Sequence, residues 1–149
     1  MSEYLETTVD KFIFRVAADR SYSSEGVWLK ADGTRVTIGM TDFLQQRSGD
    51  VAFVELKPVG TKLDPGDEFA VIETIKVDIS LYSPVGGTLV EVNTDLEDSP
   101  EAINQDPYGE GWMAVLEVED WGAQVEGLMD ARAYFTMMKR QAEEEASSV

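Results

Sequence analysis

The sequence predicts a mainly β domain of sandwich or barrel-like build, finished by one C-terminal helix. Three observations predict it. Strand-like runs at 51–56, 68–74, 78–82 and 88–92 follow one another closely, with turns at 58–60, 64–66, 75–77 and 84–87 between them. Within 68–74 both alternating faces carry apolar residues, Phe69 and Val71 with Glu73 on one, Ala70 and Ile72 with Thr74 on the other, as two sheets pressed together require. Past Asp130, a good N-cap, Ala131, Tyr134, Phe135 and Met138 recur at helical spacing and make one amphipathic helix.

The other elements follow in chain order. Phe12-Ile13-Phe14 and Val27-Trp28-Leu29 read as short strands separated by polar residues 21–24. The Asp32-Gly33 step is a hairpin signal that leads into a strand at 35–38. Thr41 can cap a short helix over 42–46, which Gly49 can end. Ser99-Pro100-Glu101 has the cap, first-turn proline and acid of a second short helix. Met113, Val115, Leu116 and Val118 mark a last strand, and the acidic end 143–149 is expected to fray. With no linker, low-complexity tract or long-period repeat, residues 1–149 read as a single domain.

Composition removes several chemistries. The chain has 149 residues and no Cys or His, so thiolate nucleophiles, thiolate metal sites and imidazole bases are excluded, and with them the Ser-His-Asp triad. At this length folding hides roughly 68–70% of the unfolded surface, so no disulfide staple is needed. Twelve basic against 29 acidic residues give a formal charge of −17. Such a surface repels phosphate backbones and anionic headgroups, so neither nucleic acid nor membrane is an expected partner. The acidic opening, Met1-Ser2-Glu3-Tyr4-Leu5-Glu6, lacks the basic start of a secretory signal, and a cytoplasmic location is expected.

Few motifs carry chemistry. Residues 109–114 match G-x-G-x-x-A, but a strand follows rather than a helix whose N-terminus could meet a pyrophosphate, so they read as a tight turn. Asp95, Glu97 and Asp98 lack the ligand alternation of a calcium loop and read as a solvated loop with a helix cap; no metal site is expected. No pair of carboxylates stands out for acid/base work, and no catalytic residue is assigned. Lys76 remains. By residue type alone it is a solvated turn lysine among acids, but at a hairpin tip its amine lies farthest from the fold. There a modifying enzyme can reach it, and a tethered group gains effective concentration at nearby partners.

From these residues outward the chain resembles the glycine cleavage system H protein and related lipoate-binding proteins. Glu73-Thr74-Ile75-Lys76 is similar to the family's E-S-V-K lipoylation site, and residues 81–93, L-Y-S-P-V-G-G-T-L-V-E-V-N, resemble the segment that follows it. Residues 96–101 and 104–112 match further blocks, as do 38–43 and 49–56 upstream, so that the likeness spans about 12–138 in one order. The resemblance implies the barrel-sandwich hybrid of lipoyl and biotinyl carriers, with short flanking helices and a C-terminal helix. It implies lipoate on Lys76, with Glu73 and Asp78 flanking it for recognition. Biotin is disfavoured, because Ile75 and Val77 stand where biotin carriers place methionines. A carrier of this kind is no enzyme; the sulfur chemistry comes with the cofactor.

The implied partners are a lipoate ligase or lipoyl transferase and the enzymes the arm serves. The family's H-E-W motif, near the arm's resting cleft, is here Gly26-Val27-Trp28, and Val77-Asp78-Ile79-Ser80 replaces A-A-S-D after the lysine. These departures favour the branch that serves sulfur oxidation with a heterodisulfide-reductase-like complex. The alternative is the H protein proper, carrying an aminomethyl group among glycine decarboxylase, aminomethyltransferase and dihydrolipoyl dehydrogenase. A third reading is a non-lipoylated interaction module that keeps the fold. Glu25, Asp42 and Tyr82 are the residues whose place near a cleft the sequence leaves open.

Overall fold

A computed structural model describes residues 3–147. The chain forms three antiparallel sheets. A hairpin pairs β1 (Tyr4–Val9) with β2 (Phe12–Ala17). A six-stranded sheet runs in the order β3 (Ser21–Tyr22), β4 (Val27–Asp32), β5 (Arg35–Met40), β11 (Ala114–Glu117), β10 (Gly87–Val92) and β7 (Lys62–Leu63). A three-stranded sheet holds β6 (Val51–Leu56), β8 (Glu68–Thr74) and β9 (Asp78–Tyr82). Helices α1 (Asp42–Ser48), α2 (Ala102–Gln105), α3 (Trp121–Gln124) and α4 (Ala131–Ser147) flank them. Among the described residues no helix is long and apolar enough to cross a membrane.

The main core lies between the two larger sheets, where Val36, Ile38, Leu89 and Leu116 meet Val54, Ile72 and Leu81. Neither sheet closes on itself, and this mainly β sandwich with a C-terminal helix is the expected architecture. A second cluster sits under the N-terminal hairpin and α4. There Tyr22 and Tyr134 stack with ring centroids 4.6 Å apart, and Phe14 meets Phe43 edge-on. Burial pushes the Tyr134 hydroxyl up to about 12, against a lowering hydrogen bond with Thr41, and burial likewise raises Tyr22 and Tyr108 well above the ordinary phenol range.

Most local expectations hold. Asp32 pairs with Arg35 across a turn in which Gly33 has φ 65°, and Thr41 caps α1 by accepting the Leu44 N–H. Asp130 accepts the Ala133 N–H at 2.8 Å and starts α4.

Four expectations need correction. First, β1 carries no element in the sequence reading; its half-buried Leu5, Thr7 and Val9 alternate with exposed residues, but the turn is Asp10-Lys11, both at positive φ, with no glycine to signal it. Second, a register shift between Glu68 and Ala70 against β9 turns both Phe69 and Ala70 into the core, so Phe69 does not share the outer face of Glu73. Third, α2 begins at Ala102, and Ser99 contributes its carbonyl to the Ala102 N–H rather than a side-chain cap. Fourth, the end expected to fray is helical through Ser147, because Arg47 holds Glu145 at 2.9 Å and Arg140 pairs with Glu144 one turn on; residues 148–149 lie outside the described residues.

Candidate functional site

The site begins with the hairpin of β8 and β9. Glu73 and Asp78 are its last cross-strand pair, which leaves 74–77 as a four-residue loop with Lys76 near its apex. Thr74 ties the loop shut. Its backbone N–H donates to the Val77 carbonyl at 2.9 Å and its hydroxyl donates to the same oxygen at 2.8 Å. That hydroxyl also accepts from the Val77 N–H at 3.0 Å and the Lys76 N–H at 3.2 Å. The Ile75 N–H donates to the Asp50 carbonyl at 3.3 Å, so the tip is docked on the connection between α1 and β6. Short polar residues that satisfy turn amides in this way pin a loop without burying it.

Glu73 and Asp78 bring two exposed carboxylates to directly opposed positions, a pairing that disfavours the hairpin by like-charge repulsion. Neither has an ion-pair partner among the described residues. Ile75 and Val77, on either side of the lysine, are left mostly in solvent. The hairpin tip thus presents two acids and two exposed apolar side chains around one lysine.

Lys76 is exposed, but its amine is not the farthest point from the fold. The side chain lies back along Gly49, where a Cβ would stand 3.5 Å from Lys76 Cε and 3.8 Å from Nζ. Gly49 ends α1 at φ 92° with its N–H on the Gln45 carbonyl. Asn104 of α2 holds that corner, donating to the Gly49 carbonyl and to Gln45 Oε1, each at 3.0 Å, while its Oδ1 accepts the Val51 N–H at 2.9 Å.

Lys76 therefore lines a groove of about 370 Å³. One wall is Val9, Asp10, Phe12 and Phe14 of the hairpin; the rest comes from Phe43, Gln46 and Arg47 of α1 and from Ala142, Glu145 and Ala146 of α4. A second groove, about 320 Å³, lies beside Gly26 and shares Phe43 and Arg47 with the first. Of the three residues whose position was open, Glu25 lines this second groove, whereas Asp42 and Tyr82 line neither. Asp42 instead accepts the Arg15 N–H at 2.9 Å and holds Gln45. The departures from H-E-W also gain a physical reason. Gly26 has φ 96° and an added Cβ would meet Leu44 at 3.0 Å, while Val27 is buried in the main core.

The sequence singled out Lys76, Glu73 and Asp78, which the hairpin brings together, and did not associate Thr74, Gly49, Arg47 or Phe12 with them. Thr74 had a legible signal, a threonine opening a tight turn. The other three are brought to the lysine only by contacts between distant segments.

The arrangement offers an exposed primary amine on a rigid base, beside a mainly apolar groove, and among the described residues no nucleophile and base set lines that groove. Such an amine can be acylated, and the protein around it fits an attached group that is itself neutral and apolar. A model of the family described as "Glycine cleavage H-protein" matches residues 20–141. A glycine cleavage system H protein of Symbiobacterium thermophilum is 48% identical over 83% of this chain and 96% of its own length. A probable glycine cleavage system H protein of Natronomonas pharaonis is 48% identical over 81% of this chain and 94% of its own. Among solved structures, a glycine cleavage system H protein from Mycobacterium marinum superposes with a TM-score of 0.72 at 32% identity, covering 80% of this chain and 95% of that one. The preference for sulfur oxidation drawn from Gly26-Val27-Trp28 finds no support among these relatives, which favour the glycine cleavage alternative.

Proposed function

The chain belongs to the glycine cleavage H-protein family, whose members are carriers rather than catalysts and bear lipoate covalently on a lysine, and we propose that Lys76 is that lysine here. The observation that carries the reading is the pinned hairpin tip, which exposes one amine on a fixed root between Glu73 and Asp78. Amide formation at Nζ removes the ammonium charge and leaves the loop hydrogen bonds untouched, since all of them are made by backbone atoms and by Thr74. Once attached, the dithiolane supplies the sulfur redox and carrier chemistry that a chain without Cys or His lacks.

Glu73 and Asp78 serve as the acidic recognition pair for the lipoate ligase or lipoyl transferase. The exposed Ile75 and Val77 add apolar contact area for that enzyme and for later partners. The cargo we propose is the aminomethyl unit of glycine cleavage, passed among glycine decarboxylase, aminomethyltransferase and dihydrolipoyl dehydrogenase.

Intact-mass spectrometry after co-expression with a lipoate ligase tests the site. Addition of one lipoyl group to the parent chain and none to Lys76→Arg is expected; an adduct retained by Lys76→Arg, or no adduct on the parent, overturns the assignment. Glycine-dependent bicarbonate exchange with glycine decarboxylase tests the cargo. A lipoylated protein inert in that exchange, yet turned over by a heterodisulfide-reductase-like complex, would restore the sulfur-oxidation reading.

A further inference from the structure

A third groove, of about 370 Å³, lies on the outer face of the six-stranded sheet. The main core separates it from the three-stranded sheet, whose hairpin bears Lys76. Its floor is one cross-strand row: Lys30 of β4 pairs with Thr37 of β5, Thr37 with Val115 of β11, and Val115 with Glu91 of β10. These positions alternate with the core residues Leu29, Val36, Ile38 and Leu116, so their side chains leave the opposite face. Glu91 joins the row because a register shift between Leu89 and Glu91 re-aims it. Trp28, Tyr108, Trp112 and Arg20 complete the walls.

Arg20 brings a cation to one end. Its side chain is only 3% exposed, with the guanidinium carbon 4.6 Å from the Trp28 ring centroid and 5.3 Å from that of Tyr108. Nε donates to Asp19 Oδ1 at 2.9 Å and Nη1 to the Tyr108 carbonyl at 3.0 Å. Nη2 has no partner among the described residues, and none of their buried side-chain nitrogens and oxygens lacks one, so the part of Arg20 that meets solvent is its Nη2 edge, in the groove. Asp19 Oδ2 also holds Lys30 Nζ at 3.3 Å, which brings the ammonium beside the guanidinium. At the other end Glu91 has no ion-pair partner among the described residues. Lys30 and Glu91 stand three strand spacings apart, about 14 Å between backbones, so the two ends keep opposite charges.

We propose that this groove binds a ligand with a carboxylate and an ammonium at the two ends of a short apolar tether, the chemistry of a free ω-amino acid or of a protein's C-terminal lysine. The carboxylate takes the open guanidinium edge and the Lys30 ammonium, the ligand's ammonium goes to Glu91, and the tether lies over Val115 against Trp112. A guanidinium already fixed between two rings makes a charge-assisted bond with little further ordering. The charge of −17 repels a simple anion, whereas a ligand whose two charges cancel approaches unopposed. The site is independent of Lys76 and of its modification.

The test is an NMR titration of the full, unmodified chain, followed at the Trp112 indole N–H and the Val115 methyls. The probes are 6-aminohexanoate, hexanoate and hexylamine, which share a six-carbon chain. 6-Aminohexanoate is expected to shift both signals and to bind about fivefold or more tightly than either singly charged probe. Glu91→Gln should cut its affinity to that of hexanoate for the same variant, and Lys30→Met should weaken both carboxylates by about threefold or more. Both residues are exposed, so neither change should lower Tm. Nα-acetyl-lysine, which imitates a chain-terminal lysine, separates the sources: tighter binding than 6-aminohexanoate points to a protein C-terminus, weaker binding to a free ω-amino acid. Equal affinity for the three six-carbon probes, no shift with any of them, or affinities indifferent to both variants would overturn the proposal.

Discussion

Replacing Thr74 with valine keeps the β-branched shape at the end of β8 and deletes the hydroxyl that closes the lysine loop. Three contacts go: the donation to the Val77 carbonyl at 2.8 Å and the acceptances from Val77 and Lys76 N–H at 3.0 and 3.2 Å. The Thr74 N–H bond to the Val77 carbonyl at 2.9 Å remains. Water replaces part of what is lost, so a net bond at this exposed site is worth the lower end of about 0.5–1.5 kcal/mol, and the three together about 1–2 kcal/mol. For a chain of this size that lowers Tm by about 2–8 °C, and the fold survives. A loop-opening equilibrium shifted by about 1.4 kcal/mol changes tenfold, so amide exchange at Lys76 and Val77 should accelerate about tenfold. Ligase kcat/KM for the unmodified protein should drop several-fold alongside it, read by mass spectrometry at subsaturating acceptor. Faster exchange with undiminished kcat/KM would refute the claim that the rigid root presents the amine, and unchanged exchange would refute the role given to the hydroxyl.

Other consequences follow from the same geometry. Glu73→Gln with Asp78→Asn relieves a cross-strand repulsion and should raise stability by about 0.2–1 kcal/mol while slowing lipoylation; a mutant both stable and modified at the parental rate argues against acidic recognition. Gly39→Ala places a Cβ 2.6 Å from the Trp28 ring, which is buried and held by its indole N–H on the Pro107 carbonyl, so a loss of about 1–3 kcal/mol is expected in urea unfolding. Stability should also fall on the alkaline side. Tyr134, raised from 10.0 to about 12, contributes fully below the unfolded-state value and loses that contribution as pH climbs toward 12, for a total of about 2–3 kcal/mol. Tyr22 and Tyr108 act in the same direction, and Tyr134→Phe should flatten the profile between pH 10 and 12 measured by chemical denaturation.

Legibility in the sequence followed the range of the interactions. The runs from 51 to 92 became β6, β8, β9 and β10 almost residue for residue, because alternation and turn residues report contacts with near neighbours. Thr41, Gly49 and Asp130 were readable as caps for the same reason: a cap bonds an amide or carbonyl within one turn. The β8 bulge was not readable, since it exists only against the register of β9. Nor was the hairpin of β1, whose Asp10-Lys11 turn adopts backbone angles that its side chains disfavour and that the flanking pairing imposes.

For the site, the composition alone excluded thiol and imidazole chemistry, and local spacing placed Lys76 at a hairpin tip among acids, while its acylation and the recognition role of Glu73 and Asp78 came from the family resemblance of the same short motif. What stands beside the amine was decided by the tertiary structure. Val9, Phe43, Lys76 and Ala146 share one groove although dozens of residues separate each from the next, and Gly49 reaches the lysine through a corner that Asn104 clamps. A groove is the gap left between packed elements, so its lining depends on how those elements dock, which no local pattern encodes.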